Sequence, residues 1–269
     1  MKKTILLFIP AVIGLFLICY PALSKMVSGA FVSNKVSQTI KTGTRYSAEE
    51  QEKMLNFARE HNRKLNTDVK VEKYEEILNI EDGIMGVINI DKIYLNLPIY
   101  HGIDDEVLRK GVGHIKSSAF PIGQVGTNSV LTSHSGLPEA TLFTNIEKLQ
   151  IGDKFTISIL NMTTEYTVDE ILVVEPDKIN DNLSFSSDKC YVTLITCTPY
   201  RINTHRLMVR AEKTNEYTKE ETQTEVVSVV ESNNNNDKVT LFAKIMVIVS
   251  LIFVIKGIER RKKNEKKDN

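Results

Sequence analysis

Cysteine is scarce in this 269-residue chain, and neither sign of charge is in excess. Three cysteines, Cys19, Cys190 and Cys197, are too few for a disulfide framework, and no C-x-x-C pair suggests a zinc site or a dithiol redox centre. Any sulfur chemistry must come from a single thiol. The 34 basic and 34 acidic residues cancel, so the composition lacks the basic excess that nucleic-acid binding usually leaves. No internal repeat is evident. What is present is the composition of a foldable globular protein, 42% hydrophobic and 25% charged, in a length that suits one ordinary domain or two small ones. Wholesale disorder is ruled out.

The neutral average conceals an uneven distribution. Residues 1–3 carry two lysines, and residues 256–269 carry seven Lys or Arg against three acids. The intervening body is mildly acidic. Just inside each basic tip lies an apolar run. TILLFIPAVIGLFLICYPAL, residues 4–23, has no charge over 20 residues, and a helix of that length reaches about 30 Å, the thickness of a bilayer core. Its competing reading is a cleaved signal peptide, but the run exceeds a usual signal core and no clear A-x-A site follows. Cys19 sits within it as a small buried hydrophobe. The second run, residues 239–258, is interrupted by Lys244, which can snorkel to the interface, and carries Lys256 near its end.

Because basic flanks stay on the cytoplasmic side, the expected topology has two spans with both ends inside: residues 1–3 and 259–269 cytoplasmic, and the acidic body outside the cell membrane. Within that body we expect an extracellular linker over 24–45, a folded domain over 46–213, and a polar tether over 214–238, where four consecutive asparagines read as spacer.

The folded body opens on Ser47-Ala48-Glu49-Glu50, a capping-box sequence. Met54, Leu55, Ala58 and Leu65 then recur on one face, which predicts an amphipathic helix over 47–65. From Ile84 the pattern changes to seven strand candidates: IMGVINI, KIYLNLPIY, NSVLTSHSG, DKFTISIL, EYTVDEILVVEP, CYVTLITC and HRLMVRAEK. Turns are predicted at Asp91-Lys92 and Gly152-Asp153, and only short helical pieces intervene, at 104–110 and 142–149. Few connections are long enough for crossover helices, so the spacing favours a mainly β, closed or nearly closed barrel over a doubly wound parallel sheet.

Cys197 ends its strand and is followed at once by Thr198-Pro199, which places its thiol at a strand-to-loop junction. Cys190, seven positions earlier, falls on the opposite face and roughly 23 Å away along the strand, so a disulfide between the two is not expected. A thiol nucleophile needs a proton-transfer partner, most often histidine. His134 also terminates a strand, ahead of Ser135-Gly136, whereas His61, His101, His114 and His205 read as structural or solvent-facing. A nine-residue step returns Arg206 beside Cys197, where a fixed cation can hold an oxyanion. Arg201 in the same loop is a rival, and Arg210 shares the strand parity of Arg206.

The segment Thr193 to Glu212, TLITCTPYRINTHRLMVRAE, resembles the T-L-x-T-C active-site strand and following Arg of the sortases. Its T-C-T-P-Y and N-T-H-R-L elements resemble the class C, pilin-polymerising branch of Gram-positive bacteria. GIMGVINIDKIYLNLPIYHG, EVLRKGVGHI and SVLTSHSGLPEATLFTNIEKLQIGD agree in order, so the resemblance runs over about residues 46–213. It implies an eight-stranded sortase-type β-barrel with an N-terminal helix and short connecting helices, flanked by the two transmembrane helices. It also carries His134, Cys197 and Arg206 onto the family's catalytic His, Cys and Arg.

The implied activity is cysteine transpeptidation. Cys197 would cleave a Leu-Pro-x-Thr-Gly-like sorting signal at Thr-Gly, and the acyl group would pass to a pilin Lys amine or a cell-wall peptide. No cofactor, metal or nucleic acid is implied. Alternatives are a housekeeping sortase that anchors surface proteins to peptidoglycan, a cysteine hydrolase, and a catalytically silent, membrane-tethered binding domain. Two features depart from the family pattern. The interval NTDVKVEKYEEILNIEDG lacks the Asp-Pro-aromatic lid anchor, leaving Tyr74 as the candidate cleft plug, and Arg201 stands where relatives often have a small residue.

Overall fold

A computed structural model describes residues 20, 24–25, 27–65, 73–138 and 140–218. The predicted spans over 4–23 and 239–258, Cys19 and both basic tips lie almost wholly outside these residues, and among the described residues no helix is long and apolar enough to cross a membrane.

Two helices precede the barrel. The first, α1, is helical over residues 27–43, inside the stretch expected to be linker. Its apolar positions are few, but Val32, Val36, Thr39 and Gly43 recur at helical spacing, and Val36 and Thr39 are buried. Gly43 permits close approach, since a Cβ there would sit 3.3 Å from the Leu160 Cα. Lys35 Nζ pairs with Asp82 Oδ2 at 2.7 Å, and Gln38 donates to Glu81.

The second helix, α2 (Ala48–Lys64), begins as its capping box predicts: the Glu50 amide donates to Ser47 Oγ at 3.3 Å and the Ser47 amide to Glu50 Oε2 at 2.8 Å. Its buried face comprises Gln51, Leu55, Ala58, His61 and Asn62. Asn62 locks that face to the barrel by a reciprocal pair with the Phe120 backbone, at 3.2 and 2.8 Å.

Eight strands follow: β1 (Ile84–Ile90), β2 (Leu95–His101), β3 (Val112–His114), β4 (Thr127–Thr132), β5 (Lys154–Ile159), β6 (Met162–Val174), β7 (Cys190–Thr198) and β8 (His205–Thr218). They close into a barrel in the order β1-β2-β3-β4-β7-β8-β6-β5. Two pairings are parallel. One joins β2 to β3 through the short helix α3 (Asp105–Lys110), and the other sets β4 beside β7 although about 60 residues separate them.

Alternation within β7 sorts its side chains by face. Cys190, Val192 and Leu194 enter the barrel core, while Ile195 joins Val130 and Met208 in a separate cluster on the outer surface. That outer cluster is roofed by Leu172, Val174, Ile179 and Leu183 from β6 and the loop after it.

Two sequence expectations need correction. The tether does not begin at Thr214, because β8 continues to Thr218 and its last residues pair with the start of β6, Met162 opposite Thr218. And β3 was not among the seven strand candidates. It is only three residues long with a glycine at its centre, which leaves no alternation to read.

Gly113 itself is required by close packing rather than by its backbone angles. A Cβ there would lie 2.4 Å from the Gly102 carbonyl oxygen and 2.8 Å from the Leu108 side chain on α3. Gly113→Ala is therefore expected to cost roughly 2–3 kcal/mol through overpacking. Its melting temperature, read by circular dichroism, should fall on the order of 5–10 °C.

Candidate active site

The barrel brings three of the predicted residues to one place. Cys197 is the penultimate residue of β7 and stands directly opposite Arg206 of β8 in the antiparallel register. Directly opposed side chains project from the same face with Cβ atoms about 5 Å apart. On the other side, β4 and β7 run in parallel register to Thr132 opposite Ile195. Beyond that point the pairing is prolonged by one backbone and two side-chain hydrogen bonds: the Ser133 amide donates to the Ile195 carbonyl at 3.3 Å, Thr196 Oγ1 to the Ser133 carbonyl at 2.8 Å, and Ser135 Oγ to the Cys197 carbonyl at 2.7 Å. The continued register sets His134 alongside Cys197. His134 and Arg206 thus flank the thiol from the two neighbouring strands, all on the outward face that Ile195 and Met208 also occupy.

Each flank is braced locally. The Phe143 amide donates to the His134 carbonyl at 3.0 Å, and Ser133 Oγ donates to the Gly111 carbonyl at 2.6 Å. The His134 ring, 29% exposed, donates from Nε2 to Asp105 Oδ1 at 3.2 Å. Arg109 Nε reaches the other oxygen of Asp105 at 2.7 Å. The guanidinium first and the histidine second hold the Asp105 carboxyl below its ordinary value. Arg206 Nη1 donates to the Asn203 and His205 carbonyls, at 3.1 and 3.0 Å.

Cys197 is half-buried at the floor of a small cleft whose walls include Ser135, Thr144, Glu147, Tyr200 and Leu207. Tyr200 leans on Gly136, where φ is +76° and a Cβ would lie 3.2 Å from the tyrosine ring. The glycine after Ser135 is therefore required twice over, by its backbone angle and by the aromatic wall.

The rival cations separate cleanly. Arg210 has the parity of Arg206 but is committed to Asp169 at 2.9 Å and Glu170 at 2.8 Å, with its guanidinium 4.7 Å from the Tyr191 ring centroid. Arg201 is exposed in the loop beside the Tyr200 ring. Cys190 faces the core, where burial pushes its thiol up and Thr127 Oγ1 is its neighbour at 3.9 Å.

The remaining histidines are placed much as their surroundings in the sequence suggest. His205 is exposed, while His61, His101 and His114 are buried together with Phe120 and Tyr74. This corrects the expectation for Tyr74, which is no cleft plug. It is 2% exposed, and its hydroxyl donates to His114 Nδ1 at 2.8 Å and accepts from the Gly102 amide at 3.2 Å. Sequence reasoning gave no role to Asp105, Ser135 or Tyr200. Asp105 carried only the signal of a short predicted helix, and its contact with His134 depends on how that helix is seated.

A thiol at an open strand end, a histidine and an arginine on the adjoining strands suit acyl transfer through a thioester. Comparison with known proteins agrees. The family model described as the sortase domain matches residues 88–214. Sortase C1 from Streptococcus agalactiae is 39% identical with a TM-score of 0.64, the match covering 68% of this chain and 98% of that one. Clostridium perfringens sortase C, solved with the C-terminal cell wall sorting motif, is also 39% identical, with a TM-score of 0.62 and coverage of 68% and 99%. A sortase A of Streptococcus agalactiae is 32% identical over 140 residues, which is 50% of this chain and 55% of that protein's length. The eight-stranded barrel, the arrangement around Cys197 and these likenesses lead to one conclusion: the chain belongs to the sortase family of cysteine transpeptidases.

Proposed function

We propose that Cys197, His134 and Arg206 carry out transpeptidation on pilin sorting signals and so polymerise pili. The observation that supports this most directly is the position of Cys197, at an accessible strand end between His134 and Arg206. The similarity to class C sortases, one of them solved with a cell wall sorting motif, supports a sorting signal as the substrate.

In this reading the Cys197 thiolate attacks the threonine carbonyl carbon of a Leu-Pro-x-Thr-Gly-like signal. The C–S bond forms, the oxygen becomes an oxyanion, and Arg206 steadies it or the substrate. Collapse breaks the C–N bond to glycine, and protonated His134 supplies the proton that lets the amine depart. The thioester is then attacked by a pilin lysine amine. His134 takes the proton from that amine, and the sulfur leaves as thiolate.

The two apolar runs would hold the domain at the outer face of the cell membrane, with both basic ends inside. Substrates arriving there with their signals near the membrane would meet the cleft at raised effective concentration.

The test is incubation of the full-length chain with a pilin bearing a sorting signal. A ladder of covalent polymers, with the Lys–Thr isopeptide found by mass spectrometry, is the expected result. Single products linked to cell-wall peptide would instead identify an anchoring sortase, and release of free acid alone would identify a hydrolase.

A further inference from the structure

We infer that Asp105 is the positioning residue for His134: its carboxylate on α3 holds the ring by Nε2–H and leaves Nδ1 as the nitrogen that exchanges protons with the reacting groups.

The first observation is the contact itself, with His134 Nε2 3.2 Å from Asp105 Oδ1. A carboxylate only accepts, so this nitrogen must carry the hydrogen. A neutral ring so held has its lone pair on Nδ1. The second observation is that Asp105 is not a loosely hanging side chain, because its other oxygen accepts from Arg109 Nε at 2.7 Å one helical turn away.

The third observation is the seating of α3. A Cβ on Gly111 would lie 2.6 Å from the Pro98 carbonyl oxygen, and one on Gly113 would strike Leu108 of α3. These two glycines let the helix rest against β2 and β3 with no intervening side chain. Ser133, the residue before His134, then donates to the Gly111 carbonyl at the end of the same helix. Both ends of α3 are thereby tied to the segment that carries His134, and the carboxylate and ring share one frame.

Asp105 is 66% exposed and His134 29%, so Coulomb attraction between them is screened and modest. The benefit is geometric. A ring restricted to one tautomer and one orientation spends more time ready for proton transfer. This inference rests on the catalytic reading of His134, and its test keeps the two separable.

The full-length chain and its Asp105→Ala, Asp105→Asn, Asp105→Glu and His134→Ala variants would be compared on a sorting-signal peptide with an amine acceptor. The first two variants should lose about tenfold in kcat with KM within about twofold, as expected when a group acting on the chemical step is disturbed. Thermal melting should stay within about 2 °C of the parent, since surface substitutions of this kind change stability little. Asp105→Glu should recover part of the loss. In 15N-histidine spectra the His134 ring should pass from a single Nε2–H tautomer to a mixture in Asp105→Ala. Unchanged kcat and tautomer in Asp105→Ala, with His134→Ala inactive, would overturn the positioning role alone. Activity retained in His134→Ala would overturn the catalytic reading beneath it. A loss in Asp105→Ala that tracks a lowered melting temperature would mean that Asp105 is structural, and would likewise overturn the inference.

Discussion

Cys197→Ala is expected to abolish both the acyl-enzyme and every joined product, with a loss of at least about a thousandfold in turnover, because in the proposed mechanism this thiol forms the covalent intermediate. The described alternative thiol cannot substitute. Cys190 faces the core, its thiol is held up by burial, and strand alternation directs it away from the cleft. Cys190→Ala should therefore leave turnover within about twofold, a contrast that a general loss of folding would not produce. His134→Ala is expected to cost roughly a hundredfold to ten-thousandfold, the usual range for a general acid–base. Arg206→Ala should cost about a hundredfold, in line with the loss of one oxyanion-stabilising donor. Mass spectrometry of enzyme incubated with a sorting-signal peptide reads the thioester directly. A thioester found on Cys197→Ala would place the nucleophile elsewhere.

A second large effect is expected in acid, and it comes from a group that does not line the cleft. His114 is wholly enclosed. Its Nε2–H donates to the Ala119 carbonyl at 2.8 Å, while Nδ1 accepts from the Tyr74 hydroxyl, so a neutral ring satisfies both partners. Burial first, and then the nearby His101 and His61 rings, push its pKa down to about 3, with the bond to Ala119 opposing them. Below pH 6.5 the unfolded chain takes up a proton at this position that the folded protein refuses until about pH 3.

Stability is therefore complete above about pH 6.5 and is lost progressively as the pH falls through that window, by about 3–5 kcal/mol for this residue alone. His61 adds to the loss with the same sign, its ring nitrogens being buried without partners and its pKa lowered by burial and then by Lys116. The charges facing the cluster are Lys116, 5.1 Å from the Tyr74 ring centroid, and Glu75, which pairs with Lys116 at 3.3 Å. Thermal melts of the full-length chain from pH 7.5 to 4 should show a steep decline. His114→Gln should start lower at pH 7.5 and decline less. Parallel slopes for the two proteins would show that His114 does not set the acid limit.

Tyr74 illustrates how far a sequence can mislead about one side chain. An aromatic residue between the helix and the first strand reads as a possible plug for the cleft, yet its hydroxyl lies among His114 and the Gly102 amide. A tyrosine satisfies that enclosed group only where a donor just past β2 and an acceptor on β3 meet, and no local pattern records that meeting. The helix α1 is hidden in the sequence for a related reason. Its burying face is limited to Val32, Val36, Thr39 and Gly43, too sparse to stand out until the barrel surface it covers is known. The capping box at Ser47, by contrast, was readable because both of its hydrogen bonds lie within four residues.

Seven of the eight strands, the turns between several of them and the opposite facing of Cys190 and Cys197 were written into the chain, since alternation and turn chemistry act over a few residues. The likeness of the Cys197 strand to a known family singled out the residues proposed to react. Assembly of the site was another matter. The parallel pairing of β4 with β7 joins segments about 60 residues apart, and it is this pairing that sets His134 beside the thiol. The three-residue β3 and the seating of α3 against its glycines then bring Asp105 to the ring. Such contacts depend on register across the barrel and on which surfaces exclude each other, so they exist only once the whole sheet has closed.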